Sequence, residues 1–309
     1  EYFYDQEYFG LEPEDIMFFS QAMLPAFDMS TGRVLLDAPG SLALSPNGHG
    51  GSLQALRDSG AIDDMRKRGV EQISYFQVDN PLVKCVDPLF IGLHATDGAQ
   101  MSSKALPKVG PKEKVGVFAK VDGRISVIEY SDLPDELAHA RDADGELKFK
   151  AGSIAIHVIA VDFVEKLGEG ESFGLPVHRA EKKVPHVDLS TGRRVEPTEP
   201  NAVKLEMFVF DALPLCETSI VYETDRVEEF APIKNADAPG ATDCPATSHA
   251  LQSRRAARWL EANGVLVPHD DDDQPEATLE ITPLTAIEPG DLNDQALPDM
   301  VPPGATLVF

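Results

Sequence analysis

The sequence predicts an α/β protein built on a mixed sheet, and three observations predict it. Apolar, β-branched runs alternate with amphipathic helical stretches through the first half of the 309 residues. Hydrophobic residues make up 42% of the chain, enough to bury a core, which excludes a disordered chain. A hairpin signal in mid-chain adds antiparallel pairing to a sheet that alternation alone would make parallel.

The elements follow in order. Ile16–Gln21 (IMFFSQ) and Arg33–Leu36 (RVLL) are short apolar runs and read as strands. Gly51–Gly69 reads as two short helices, because Leu53 and Leu56 share a face and Ile62 and Met65 repeat the spacing. Val70–Val78 (VEQISYFQV) is rich in β-branched and aromatic residues and is expected as a buried strand. Pro88–Gly98 opens on Pro and closes on Gly, as helices do. To this point the pattern argues for a mainly parallel sheet with helices on both faces. Lys114–Tyr130 is a hairpin that turns at Asp122-Gly123. Ser172–Asp188 is expected as a loop, basic in its middle, and Lys204–Glu217 carries a helical pattern. Cys244–Gly264 is a helix with Pro245 near its start and Gly264 as its stop. Beyond Val265 Pro, Asp and Gly accumulate around short strands such as TLEITPL. The chain therefore divides into residues 1–243 and a small C-terminal helix and β unit, 244–309. No internal repeat is visible.

Charge and cysteine usage exclude several functions. The net charge is −25, from 27 basic against 52 acidic residues, which argues against a nucleic-acid partner. No run of apolar residues is long enough to span a membrane. Cys85, Cys216 and Cys244 are odd in number and lack metal spacing, so they are expected as reduced cytoplasmic thiols. The run His269 to Asp273 lacks the alternating ligands and the glycine of a calcium loop and reads as a solvated turn.

Three features could carry chemistry. Asp79 follows an apolar strand and precedes Asn80-Pro81, the place where open α/β sheets bind ligands. A carboxylate there can hold an oxygen-ligated divalent cation, or can cap the turn. Ser45–Leu56 (SPNGHGGSLQAL) has three glycines just before a helix, which lets backbone N–H groups approach a ligand, or serves as a generic turn. Lys234, between Ile233 and Asn235 in FAPIKNAD, is a candidate phosphate contact or a surface lysine.

Together the stretches FFSQAMLPAF, SPNGHGG, QVDNPLVKCVDPLFIG, EKVGV, VIEYSDL, AGSIAIH, EKKVPHVD, PNAVKLEMFVFD and FAPIKNAD resemble the UDP-N-acetylhexosamine pyrophosphorylases, relatives of the UDP-glucose and UDP-sugar pyrophosphorylases. The resemblance covers roughly Tyr8 to Leu284, in the family's order. It implies a Rossmann-like nucleotide-diphospho-sugar transferase fold, and a reaction in which UTP and N-acetylglucosamine 1-phosphate give UDP-sugar and pyrophosphate. It implies Mg2+ as cofactor, held by Asp79. It implies that Gln21 and Gly48 lie at the uracil, that Gly116 and Glu129 hold the sugar, that Phe208 and Phe210 wall the sugar pocket, and that Lys234 contacts phosphate.

Three departures follow from the same comparison of motifs. His49 stands where the family's glycine loop has Asn, and Asn47 where it has Asp. Ser153 stands where an asparagine contacts the sugar. These changes at the sugar end admit a UDP-glucose or broad UDP-sugar pyrophosphorylase as the alternative. The family's N-terminal phosphate loop has no counterpart, which implies a catalytic domain without its first strands, inactive by itself, or else a non-catalytic nucleotide-sugar-binding protein.

Overall fold

A computed structural model describes residues 1–170 and 173–309. Its central sheet has the order Ser219–Glu223, Met101–Pro107, Ala151–Ala160, Val117–Val121, Arg124–Ile128, and Gln72–Tyr75 also pairs with Ala151–Ala160. The sheet is mixed, but only Ser219–Glu223 and Met101–Pro107 are paired in parallel; its other pairs are antiparallel. This corrects the mainly parallel expectation. Gln72–Tyr75 and Met101–Pro107 point the same way. The long strand Ala151–Ala160 threads between them, antiparallel to both, and nothing local in the sequence announces that insertion.

Ala151–Ala160 changes neighbours along its length. Its first half meets Val117 through Gly152, and its second half meets Tyr75 through His157. Between them the register slips, with Ala155 at φ +57°, a bulge that re-aims the side chains on either side. Residues Met101 to Leu106 are buried on both faces, as expected where helices or loops cover both sides of a strand. Met101 and Ala105 join one apolar cluster, with Leu53, Ile62, Phe163 and Val209. Leu106 joins the other, with Phe90, Ile154 and Val158.

The helices form where the pattern placed them, at Gly51–Asp58, Ala61–Lys67, Pro88–Thr96 and Pro245–Ala262. Asp87 caps the third, its Oδ1 accepting from the N–H groups of Leu89 and Phe90 at 3.0 and 3.2 Å. The hairpin turns at Asp122 and Gly123, both at positive φ, as a two-residue hairpin turn requires. Five expectations change. The buried strand expected at Val70–Val78 is only Gln72–Tyr75 and is half-buried, with Val70, Phe76 and Val78 exposed. Ile16–Gln21 is not a strand; the first strand is Met23–Pro25, and Met17, Phe18 and Phe19 are exposed. Arg33–Leu36 gives only an isolated bridge at Val34 before the strand Leu36–Ala38. The expected loop contains the strand His178–Lys182, while its first residue, Ser172, lies outside the described residues. The expected helix Lys204–Glu217 is instead the strand Ala202–Glu206 followed by a 3-10 segment, Val209–Leu215, with Pro214 inside it. Those last two errors are one error: Ala202–Glu206 is the antiparallel partner of His178–Lys182, and a proline would break an α-helix there.

Two turns share a short echo of sequence, Asp28-Met29-Ser30-Thr31-Gly32-Arg33 and Asp188-Leu189-Ser190-Thr191-Gly192-Arg193. In each the aspartate Oδ1 accepts from the following serine, at 2.7 Å from the hydroxyl, and glycine closes the turn at positive φ. Beyond Cys244 a separate apolar cluster forms from Ala256, Trp259 and Leu260 of the last helix with Val265, Leu279, Leu292 and Val301. Trp259 Nε1 donates to Glu228 Oε2 at 2.8 Å, and Ser248 Oγ donates to the Ala231 carbonyl at 2.7 Å, so this helix braces the segment that precedes Lys234.

Candidate functional site

The glycine loop is fixed by backbone. Asn47 O accepts from Met207 N–H, and Gly50 N–H donates to Met207 O, both at 2.8 Å. A Cβ on Gly48 would stand 2.4 Å from Met207 O, and one on Gly50 2.7 Å from the Met207 carbonyl carbon. At Gly51 a Cβ would meet the Asn47 side chain. Gly48 also sits at φ +82°. The sequence suggested that these glycines admit a ligand; what occupies the space is the chain at residues 207–208. Gln21 lies against this loop, its Nε2 donating to Gly48 O at 2.9 Å and to Asn47 Oδ1 at 3.3 Å. A cleft of about 240 Å³ beside it is lined by Phe19, Ser20, Gly51 and Gln54.

That pinning carries aromatic residues to the loop. Phe208 is extended and Phe210 lies in the first turn of the 3-10 segment, so the pair does not diverge as an i, i+2 pair in a helix would; their rings stack at 5.1 Å. His49 packs against both, at 5.3 and 5.6 Å between centroids, and its Nδ1 accepts from Val209 N–H at 3.1 Å. Burial pushes the His49 pKa down to about 4, so the ring is neutral at pH 7. Beneath it His157 is fully buried between Ser103 and Tyr75. Burial, then His49, lowers its pKa to about 3.

The acidic and basic groups face this wall. Glu129 ends the hairpin, and a Cβ on Gly116 would lie 3.3 Å from its Oε1. Ser153 N–H donates to Gly116 O at 2.8 Å, so all three sit together. Burial first, then Asp132, raises the Glu129 pKa, while Lys234 and His178 oppose the shift. Lys234 Nζ is 5.8 Å from the Phe230 ring centroid. Its segment is stitched to the Asp79 turn: Ile233 N–H donates to Asp79 O at 2.8 Å, Ala231 N–H to Asn80 Oδ1 at 3.0 Å, and Asn80 Nδ2 to Glu229 O at 2.7 Å.

A buried charge cluster underlies that stitching. Lys104 is completely buried, and its Nζ lies 2.6 Å from Asp87 Oδ2 and 2.6 Å from both carboxylate oxygens of Glu229. Burial works against ionised Asp87, but the Lys104 hydrogen bond holds its pKa below the usual carboxylate range. Lys104 thus ties the helix after the Asp79 turn to the segment before Lys234.

Gln21, Gly48, His49, Phe208 and Phe210 form one side of this region, and Gly116, Glu129 and Ser153 form another. Asp79 and Lys234 share the stitched turn. Sequence reasoning missed His178, Asp211, Lys104 and His157. Two of these had a local signal: Asp211 closes the MFVFD stretch, and His178 lies just ahead of EKKVPHVD. Among the described residues no three His, Cys, Asp or Glu side chains cluster as metal ligands. A single half-buried carboxylate, Asp79, suits a hard cation that takes its other ligands from phosphates and water, and does not suit a protein-caged metal.

The sequence profile of the UTP--glucose-1-phosphate uridylyltransferase family matches residues 4–278, and the chain belongs to that family. It is 40% identical over 270 residues to the UDP-N-acetylglucosamine pyrophosphorylase of Saccharomyces cerevisiae, a match covering 86% of this chain and 56% of that protein. It is 38% identical over 298 residues to the human UDP-N-acetylhexosamine pyrophosphorylase-like protein 1, covering 93% of this chain and 58% of that protein. Among solved structures it is similar to the uridine diphosphate N-acetylglucosamine pyrophosphorylase of Trypanosoma brucei, with a TM-score of 0.79 at 26% identity, covering 97% of this chain and 63% of that one. The chain therefore spans little more than half the length of the curated relatives it matches. Family and structural neighbours bear out the expected resemblance and the α/β fold with a mixed sheet. Among the described residues no helix is long and apolar enough to cross a membrane.

Proposed function

We propose that the chain carries the sugar and metal side of a uridylyltransferase that transfers UMP from UTP to N-acetylglucosamine 1-phosphate. The observation that carries this reading is the stitching of the Asp79 turn to the Lys234 segment, and the aromatic wall at the glycine loop supports it. In the reaction a phosphate oxygen of the sugar 1-phosphate bonds to the α-phosphorus of UTP. The bond from that phosphorus to the bridging oxygen breaks, and pyrophosphate leaves with its electron pair. The substrate brings its own nucleophile, so the protein supplies position and charge.

The roles follow from placement. Gln21 and the glycine loop take the base, next to the cleft at Phe19 and Gly51. Phe208 and Phe210 support the sugar, with Glu129, the Gly116 N–H and Ser153 at its hydroxyls. Lys234 neutralises phosphate charge. Asp79 would hold Mg2+, which when bound neutralises phosphate charge and orients the leaving pyrophosphate. The names of the Saccharomyces cerevisiae and Trypanosoma brucei relatives support N-acetylglucosamine over glucose.

Because the chain spans only part of those relatives, turnover is assigned to the whole protein. The test is a chimera in which this chain replaces the matching portion of the Saccharomyces cerevisiae enzyme. Given UTP, N-acetylglucosamine 1-phosphate and Mg2+, it should release pyrophosphate and form UDP-N-acetylglucosamine. Asp79→Asn should lower turnover by about a hundredfold or more, with UTP binding in the absence of metal unchanged. A folded, UTP-binding chimera that forms no product, or an Asp79→Asn variant of normal activity, contradicts the reading. Preference for glucose 1-phosphate would replace the sugar.

A further inference from the structure

One polar pair in the aromatic wall has no role in the reading above. His178 opens the strand His178–Lys182, and Asp211 follows Phe210 in the 3-10 segment. His178 Nε2 and Asp211 Oδ2 are 2.8 Å apart. The imidazole packs on Phe208, 4.9 Å between centroids and tilted by 33°. It remains partly open, with 42% of its side chain exposed. His178 packs on Phe208, and Phe208 stacks on Phe210, which places the pair at the aromatic wall that the proposed function gives to the sugar.

The pair has a defined polarity. A carboxylate beside one imidazole nitrogen fixes that nitrogen as the donor and so sets the tautomer. In the neutral ring Nε2–H donates to Asp211 and Nδ1 carries the lone pair. Among the described residues Nδ1 has no hydrogen-bond partner. His178 therefore presents a single oriented acceptor at the edge of an aromatic face. A sugar ring needs that combination: an apolar surface against its C–H face and acceptors at its rim for the hydroxyl hydrogens.

We propose that His178, oriented by Asp211, is a specificity-determining residue that accepts a hydrogen bond from a sugar hydroxyl of the bound nucleotide sugar. This rests on the function proposed above. Buried or partly buried polar contacts of this kind discriminate, because a ligand without the hydroxyl leaves the acceptor unpaired. Asp211 does not touch the sugar; it is a positioning residue acting through His178.

Calorimetric titration of the 309-residue chain with UDP and with UDP-N-acetylglucosamine tests the proposal. Wild type should bind both. His178→Ala should bind UDP-N-acetylglucosamine about tenfold more weakly and UDP unchanged. His178→Gln keeps an acceptor on a flexible side chain and should recover part of that loss, and it also serves if the alanine variant folds poorly by thermal unfolding. Asp211→Asn, which still accepts from Nε2–H, should lose less than Asp211→Ala. Equal weakening of both ligands, or none, overturns the proposal and leaves the proposed function standing. Wild type that binds neither ligand overturns the proposed function, and this inference with it.

Discussion

The two ends of the proposed site are held in different ways. At the proposed base and sugar end the glycine loop is fixed by close backbone approach and by stacked rings: Gly48 and Gly50 against Met207, His49 against Phe208 and Phe210. At the proposed phosphate end the Asp79 turn and the Lys234 segment are fixed by a buried cation between two carboxylates, Lys104 with Asp87 and Glu229. The first arrangement depends on shape and on neutral histidines. The second depends on ionised groups in a place with no water to replace them. The same perturbation should therefore strike the two ends unequally.

The largest effect is expected at the phosphate end. Lys104→Met leaves two carboxylates buried without their cation, and breaking a buried pair in this way costs about 3–5 kcal/mol. Urea unfolding should show a loss of that size, with the Lys104→Arg variant closer to wild type. A loss under about 1 kcal/mol would mean that water reaches the cluster and that it does not brace the cleft.

Gly48→Ala should strike the glycine loop, at the proposed base and sugar end. The substitution meets both a backbone oxygen at 2.4 Å and a left-handed φ of +82°. A residue held in that strain costs on the order of 1–3 kcal/mol, and relief by shifting the loop should weaken nucleotide binding as well. Gly123→Ala, at φ +83° with no atom near its Cβ, separates the two causes: it carries the strain without the clash.

Acid should widen the contrast. His49 has its pKa lowered to about 4, from an ordinary 6.5. Between those values the unfolded chain binds a proton that the folded chain refuses, so stability falls as pH drops through the window, by at most about 1.4 kcal/mol per pH unit for this group. Asp87, held below its usual value by Lys104, stays ionised across the same window. His49→Phe should make the loss of stability between pH 6.5 and pH 4.5 shallower than in wild type. An unchanged slope would show that His49 is hydrated and protonates freely.

Part of the proposed phosphate end was legible in the sequence, for physical reasons. A Pro-started helix and a Gly stop are local signals, and Pro88–Thr96 lies where they put it, whereas the strand expected to end at Asp79 stops at Tyr75 and leaves Asp79 in a turn. His178–Lys182 and Ala202–Glu206 stabilise each other as a pair, so neither carries a pattern strong enough to read alone. Lys104 carries no local signal, because its partners Asp87 and Glu229 come from 17 positions before and 125 after. The glycines were legible as a loop that needed space, but the occupant, Met207, was not.

Hydrogen–deuterium exchange with UDP-N-acetylglucosamine and Mg2+ tests most directly whether both ends serve one ligand. The account predicts slower exchange in three separate stretches at once, residues 47–53, 206–211 and 231–235, with residues 265–309 unchanged. Protection confined to one stretch, or to the cleft at Lys120 and Arg124 on the other side of the hairpin tip, would contradict a single cleft built from these two ends.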